Sequence, residues 1–534
     1  MSRDYRSFPL LNFLPCAPVN VVPQFLCDYL AGSFIPSEAG RAERAPYGLR
    51  KIEAALLRDF GSVQVAVAHP DYIENFVDKD TKIIGVYTMD PKGLGPLTMT
   101  FTNGRTSVSI AENEFSNLMR RINHIKRLNG CNAKVVVGGP GTWEFWYAPE
   151  DIEELGIDYL FQGEAEDIIV DLFKQLSESS LDKSFTYGFQ TFDEKFHKKL
   201  AYDEKQHFVT RTPFTKQFPT LDEIPAIQGA SMQGLVEAMR GCGIGCDFCE
   251  VTLRPNRYSS PEKIIEEILV NRKYGINNAW LHSDEIFAYQ HGLNFVPNEE
   301  ALVELFTAVM SVVPNANPTH GRISIPAAYP ELIEKLSKIF RAREHKQIGI
   351  QVGLETGSDE LARKHMPNKT LPLKVGPDGS WPEIVRDGLV VFDKHHWEPA
   401  FTVQIGQSGE TPDDNWMTVG MINDLSNHGL NFTVTPMINV PLGLLKTKGG
   451  FLNMYEKLDE SQAAVIYSCF RHLAKMARRD AYPLSRGNFL SRIVMTSMLV
   501  GGSYLVQQGI RRALKRTGLD TYKTKNHTLN LFNN

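Results

Sequence analysis

The run Met239-Arg-Gly-Cys242-Gly-Ile-Gly-Cys246-Asp-Phe-Cys249-Glu250 sets three cysteines at gaps of three and two residues, with no fourth cysteine nearby. Cysteine thiolates hold iron–sulfur clusters, and four of them normally close a four-iron cubane. Three leave one iron open to an outside ligand, which makes such a cluster a reaction centre and not only an electron wire. Gly241, Gly243 and Gly245 let a short loop wrap a bulky inorganic group. Zinc is a competing reading, because its cysteine pairs also lie two to four residues apart. Zinc wants a fourth protein ligand, and the nearest histidine downstream, His282, is too remote to be inferred as one. Chance spacing among seven cysteines is the third reading.

Outward from the run, apolar strand patterns alternate with helical ones six times. Strands are expected near Leu235–Met239, Asn278–His282, Arg322–Ile325, Gly349–Leu354, Ala400–Ile405 and Phe432–Pro436. Helices are expected at Pro261–Tyr274, Glu299–Val312, Tyr329–Phe340, Pro382–His395 and Pro412–His428. Ser260 before Pro261 reads as an N-cap with proline at the first helical position. Six parallel units make a partial (β/α)6 TIM-type barrel over residues 231–445, whose chemistry belongs at the C-terminal ends of its strands. The cysteine run follows the first strand, where such a site should be.

Residues 56–180 form a separate α/β pattern of Rossmann-like type. Its expected strands are Val63–Ala68, Ile83–Tyr87, Lys134–Val137 and Asp158–Phe161, with helices at Ala111–Leu128 and Ala165–Leu176. Three strands run into loops suited to close backbone approach: Thr88-Met-Asp-Pro91, Gly138-Gly-Pro-Gly141 and Gly163-Glu164. A dinucleotide fingerprint fails on spacing. Counting from Gly139 and Gly141, the third glycine position holds Glu144; counting from Gly93 and Gly95, it holds Thr98.

The 534 residues suffice for two or three domains. A net charge of −5 gives no electrostatic reason to expect nucleic acid. No N-terminal stretch has signal-peptide order, and the longest apolar stretch, Ile493 to Val506, contains Gly501 and Gly502 and is too short to span a bilayer, so no transmembrane segment is expected. Cys16, Cys27, Cys131 and Cys469 are scattered, which suits a reducing cytoplasm. Residues 1–55 read as an N-terminal extension, the proline-broken 181–230 (Pro213, Pro219, Pro225) as a linker, and 446–534 as helical. In the last region Asp459 and Gln462 resemble a capping box ahead of Ile466, Phe470, Leu473 and Ala477, with Cys469 a core residue beside them. The basic run Arg511 to Arg516 is a solvated helix face or a docking point for an acidic partner or membrane surface.

The cysteine run at the end of a first barrel strand resembles the radical S-adenosylmethionine superfamily, whose open iron chelates the amino and carboxylate groups of that cofactor before reductive cleavage to a 5′-deoxyadenosyl radical. Phe248 matches the aromatic position on adenine. Ser283-Asp284-Glu285 matches the place that holds the amino group. Gly353-Leu-Glu355-Thr-Gly-Ser358 is similar to the segment touching ribose and methionine carboxylate, and the glycine motif around Gly406 to the one beside adenine. Val135-Val-Val-Gly138-Gly139-Pro140 with Asp158-Tyr-Leu-Phe-Gln-Gly163-Glu164 resembles the N-terminal cobalamin-binding domain of one branch of that superfamily. The motif Asp-x-His-x-x-Gly is absent there; the one Asp-x-His, Asp393-Lys-His395, is in the barrel and is followed by Glu398. That departure matches the branch binding cobalamin without histidine, with Thr88-Met89-Asp90 as the candidate beneath cobalt.

The resemblance implies a [4Fe-4S] cluster, S-adenosylmethionine and cobalamin, oxygen sensitivity, and a low-potential donor such as ferredoxin or flavodoxin. The implied activity is methylation of an unactivated carbon, at a substrate held between the two domains. A radical cyclase or ring-modifying enzyme keeps both cofactors with a different product. A non-enzymatic corrinoid or redox-sensing module is the third class. A methylthiotransferase would carry a second compact cysteine set in its N-terminal domain, which Cys16, Cys27 and Cys131 do not make. Thr88-Met-Asp-Pro-Lys-Gly-Leu-Gly-Pro96 is similar to archaeal members that methylate a glutamine of methyl-coenzyme M reductase, so a protein or peptide substrate is favoured. No general acid or base stands out; His69 and His282 read as scaffold residues.

Overall fold

The computed structural model describes residues 14–22, 38–178, 208–210, 218–344, 346–440, 457–484 and 489–532. Cys27, Pro213 and the expected passage from barrel to C-terminal helices lie outside the described residues. Two parallel sheets organise the rest. The first contains β1 (Ile83–Tyr87), β2 (Lys134–Gly138), β3 (Tyr159–Gln162) and β4 (Phe208–Thr210), paired in that order. Period-two alternation divides its side chains between two cores. Val135, Val137 and Leu160 share one core with Phe115, Met119 and Ile122 of the helix Ile110–Leu128. Val136, Tyr159 and Phe161 share the other with Ala55, Leu56, Ile169 and Leu172, from the helices Tyr47–Phe60 and Ile169–Glu178.

Two expectations change in this sheet. Val63–Ala68 is a turn and an extended stretch, not a strand, and Val63 is 97% exposed. The N-terminal extension takes its backbone groups. Ala42 N–H donates to the Val67 carbonyl at 2.8 Å, and Arg41 donates to the carbonyls of Ser62 and Val65 at 3.0 and 3.2 Å. The fourth strand, β4, comes from the stretch read as a linker, where three residues are too few to show a period. Strand order therefore follows chain order, without the reversal that marks the ligand crevice of doubly wound sheets.

The second sheet opens with β5 (Leu235–Glu237), followed by the short β6 (Met239–Arg240) and β7 (Arg257–Tyr258) around the cysteine run. It continues through β8 (Asn278–His282), β9 (Asn315–Pro318), β10 (Ile348–Glu355), β11 (Trp397–Ile405) and β12 (Thr433–Ile438). β5, β8 and β9 pair in parallel, as do β10, β11 and β12, and a parallel bridge from His320 to Gln351 joins the two sets. Six parallel strands in order, with crossover helices between, make the open barrel. Arg322–Ile325 is not its third strand: Ser324–Ala328 is helical, and β9 is the polar Asn315-Ala-Asn-Pro318. That strand lacks the β-branched and aromatic residues that pattern reading relies on. Ser260 caps its helix by accepting from Lys263 N–H at 3.3 Å, and Asp459 and Gln462 cap reciprocally at 3.3 and 2.9 Å.

Among the described residues β12 pairs only with β11, so its other side needs partners. Side chains supply them. Ile438 N–H donates to Thr100 Oγ1 at 3.2 Å, and His472 Nε2–H donates to the Phe432 carbonyl at 2.9 Å. The chain's end clasps the barrel as well: Asp424 accepts from Leu529 and Leu531 N–H at 2.9 and 3.1 Å. Among the described residues no helix is long and apolar enough to cross a membrane.

His472 is buried, stacked on Phe432 with centroids 3.9 Å apart, and accepts at Nδ1 from Ser426 Oγ at 2.9 Å. Burial pushes its imidazole down to about 4. A lowered histidine stabilises the fold fully above its ordinary value and loses that contribution as pH falls towards the folded value. Between roughly pH 6.5 and 4 the loss is on the order of 3 kcal/mol. Urea unfolding at these two pH values should show a smaller pH dependence for His472→Gln than for the parent; equal dependence would rule the residue out as the source.

Candidate active site at the facing strand ends

The cysteine run is the loop of a short hairpin. β6 and β7 pair antiparallel with Met239 opposite Tyr258 and Arg240 opposite Arg257, and residues 241–256 arch between them. Gly241 has φ +80°, and a Cβ there would sit 2.6 Å from the carbonyl oxygens of Arg254 and Pro255. Its N–H donates to Asp284 Oδ2 at 2.7 Å, which ties the loop to the end of β8. Cys242 and Cys246 are buried and Cys249 is half-buried. Burial pushes the thiols of Cys242 and Cys246 up to about 12 and raises that of Cys249. Alone, these thiols would stay neutral; iron supplies the positive charge that draws protons from cysteine. Three such donors on one glycine-rich loop fit a cysteine-bound cluster. Among the described residues no three His, Cys, Asp or Glu side chains converge closely enough to hold a single ion.

A second group of side chains gathers beside them. Along β11 alternate residues point into the barrel, so Thr402 and Gln404 share its interior face. On β10 the register slips between Gly353 and Glu355, and this bulge, with φ +64° at Glu355, turns the carboxylate inward. Glu355 there accepts from Lys369 Nζ at 2.8 Å and from Gln404 Nε2 at 3.1 Å. A Cβ at Gly353 would collide with both members of the Glu355–Lys369 pair. Burial alone would lower the Lys369 ammonium, but Glu355, Cys246 and Cys249 together raise it. Asp284 adds its charge near Cys242 and Cys249. The cysteines, Asp284, Glu355 and Lys369 thus form one neighbourhood.

Other sequence-derived candidates are engaged locally. The Ser283 hydroxyl faces the His320 carbonyl at 3.4 Å, and Glu285 is buried against Arg322 at 3.4 Å. Ser358 caps the helix Asp359–His365 and hydrogen-bonds Asp414. Gly406 N–H donates to Glu410 Oε2 at 2.7 Å. Phe248 is half-buried and packs on the main core beside Cys249. His365 spans the site: Nδ1 meets Asp247 Oδ2 and Nε2 meets the Ser408 carbonyl, both at 2.9 Å.

At the strand ends of the first sheet, Met89 (68% exposed), Pro140 and Gly163 form an exposed rim after β1, β2 and β3. Thr88 is buried. Gly138 has room for a side chain, whereas a Cβ on Gly139 would strike the Thr88 carbonyl, so that glycine serves loop packing and not ligand approach. Asp90 is also committed to its own loop, accepting from Gly95 N–H at 2.9 Å and from Thr98 Oγ1. Burial and the Asp90 charge raise the Glu144 carboxyl well above its ordinary value, and its Oε2 accepts from Lys92 N–H at 2.7 Å.

The two sets of strand ends meet at both margins. Glu164 after β3 accepts from Arg240 Nη1 and Arg257 Nη2 at 2.6 Å, and Thr100, beyond β1, reaches Ile438 at the end of β12. Lys369, Gln404, His365 and Arg240 escaped sequence reading because none falls at a motif spacing.

Residues 236–422 match the family model described as the Radical SAM superfamily. Among curated proteins, tRNA-2-methylthio-N(6)-dimethylallyladenosine synthase of Bacillus velezensis is 23% identical over 224 residues, covering 37% of this chain and 42% of that protein. The chain thus spans about two fifths of the length of the curated relative it matches. Among solved structures, the radical S-adenosylmethionine methyltransferase TsrM from Kitasatospora setae, with tryptophan and a cofactor analogue bound, aligns at a TM-score of 0.47 and 15% identity, over 74% of this chain and 70% of that one.

Proposed function

We propose that a chain whose residues 236–422 carry a radical S-adenosylmethionine domain acts as a cobalamin-dependent radical C-methyltransferase on an unactivated carbon. The observation that supports this most is the opposition of the two sets of strand ends, tied at Glu164–Arg240 on one margin and Thr100–Ile438 on the other. Bound there, cluster, S-adenosylmethionine and cobalamin would supply one-electron sulfonium cleavage and a transferable methyl group. The chain's own work is holding and shielding. Cys242, Cys246 and Cys249 would hold the iron. Asp284 and the Glu355–Lys369 pair would set the charge beside the cysteines and orient the amino-acid end of the sulfonium. Phe248 and the loop at Gly406 would border the adenine.

Met89, Pro140 and Gly163, exposed side by side, suit the face of a flat macrocycle. Asp90 does not suit the space beneath cobalt, because both its oxygens are spent inside the loop. Its role is to hold Met89 in place. The favoured substrate is a protein segment entering between the sheets, with electrons from a ferredoxin- or flavodoxin-type donor. Anaerobic, reconstituted protein given methyl-labelled S-adenosylmethionine, cobalamin, a chemical reductant and candidate polypeptides should form 5′-deoxyadenosine and a product bearing the labelled methyl on carbon. Intact S-adenosylmethionine would remove the radical assignment; 5′-deoxyadenosine without labelled product would remove methyl transfer.

A further inference from the structure

Arg240 and Arg257 face each other across the stem of the cysteine loop, and both reach out of the barrel into the first sheet. Arg240 donates from Nε and Nη2 to Glu237 at 2.8 Å, from Nη1 to Glu164 at 2.6 Å and from Nη2 to Glu166 at 2.8 Å. Arg257 Nη2 donates to both Glu164 oxygens at 2.6 and 2.7 Å, and its Nη1 to the Pro219 carbonyl at 3.0 Å. The five charged side chains are between 5% and 11% exposed. Taking five charges out of water is costly, and an apolar contact would hold two surfaces together at less expense. What forked guanidinium–carboxylate contacts add is fixed direction and distance. Glu164 and Glu166 belong to the short turn that leaves β3, one and three residues beyond the exposed rim at Gly163. Arg240 lies two residues before Cys242.

We infer that Glu164 and Glu166 are positioning residues: they grip both strands of the cysteine-loop stem, so that the turn after β3 and the cysteine loop are set as one rigid unit. Burial would raise the Glu166 carboxyl, but the Arg240 charge and hydrogen bond outweigh it and hold it down to about 2, so the grip stays ionised at neutral pH. The catalytic consequence rests on the proposed function, since a fixed unit sets the distance between a radical source and a methyl carrier.

The test uses the reconstituted full chain with Glu166→Gln, which removes one charge, and with the Glu164→Gln/Glu166→Gln pair. Hydrogen exchange should rise at least about tenfold for amides of residues 241–256 together with those of 163–168, scaled between single and double variant. The reduced cluster should change its electron paramagnetic resonance line shape at undiminished iron content. Where methyl transfer operates, the ratio of 5′-deoxyadenosine to methylated product should rise. Loosening of 163–168 with a cysteine loop and cluster spectrum like the parent's would overturn the inference, and so would no change in either segment. If the parent yields no methylated product, methyl transfer falls while the exchange and spectral results still decide the coupling. Should the double variant not fold, the single one carries the same comparison.

Discussion

Cys246→Ala should abolish formation of 5′-deoxyadenosine, by at least about three orders of magnitude, because under the proposed function Cys246 would hold one iron and the variant has no thiolate to offer it. Three observations set this expectation. Cys246 is buried, it is the middle donor of a loop whose hairpin stem is pinned on both strands, and Lys369 lies beside it. Cys246 is buried, so a water molecule cannot readily stand in for the missing sulfur. Visible absorption after anaerobic reconstitution should fall, and iron per chain with it. Retention of the parent's iron, sulfide and cofactor cleavage in Cys246→Ala would end the cluster assignment at this triad.

Lys369→Met is expected to have the second-largest effect. Lys369 neutralises Glu355 at 2.8 Å inside the barrel mouth, next to Cys246 and Cys249. Removing one partner of a buried pair leaves the other charge uncompensated, at roughly 3–5 kcal/mol. Thermal unfolding should therefore move down clearly, and cofactor cleavage should fall by at least about a hundredfold. The double variant Glu355→Gln/Lys369→Met separates the causes. It removes both charges, so stability should return most of the way while cleavage stays low. If cleavage returns along with stability, the pair is scaffold and has no part in orienting the cofactor.

The most informative part of the site was also the most local. Three cysteines within eight residues need no long-range knowledge to be read, and the strand before them announces itself by its apolar run. Lys369 is the opposite case. It lies in Met366-Pro-Asn-Lys-Thr370, a stretch without periodicity, and gains its meaning only because β10 bulges at Gly353 and turns Glu355 towards it. A one-residue slip of this kind changes which face a side chain occupies and leaves no trace in composition. Val63–Ala68 shows that alternation alone does not make a strand: the backbone must also find an edge, and here the N-terminal extension claimed it first. Phe208–Thr210 and Asn315–Pro318 failed in the other direction. Both are strands because a neighbour offered a ladder: Phe208-Val-Thr210 has strand-forming side chains but is too short to show a period, and Asn315-Ala-Asn-Pro318 lacks such side chains.

The margin of β12 that has no strand partner among the described residues has an evolutionary consequence. Ile438 takes its partner from the amino-terminal half and Phe432 takes its own from the helix Glu460–Leu484, so the barrel's final strand belongs to three regions at once. Recombination that swapped in an amino-terminal half from a distant cousin would strand the Ile438 amide unless a hydroxyl arrived at the place of Thr100. Shuffling of modules in such a lineage is thereby confined to donors that already share this suture.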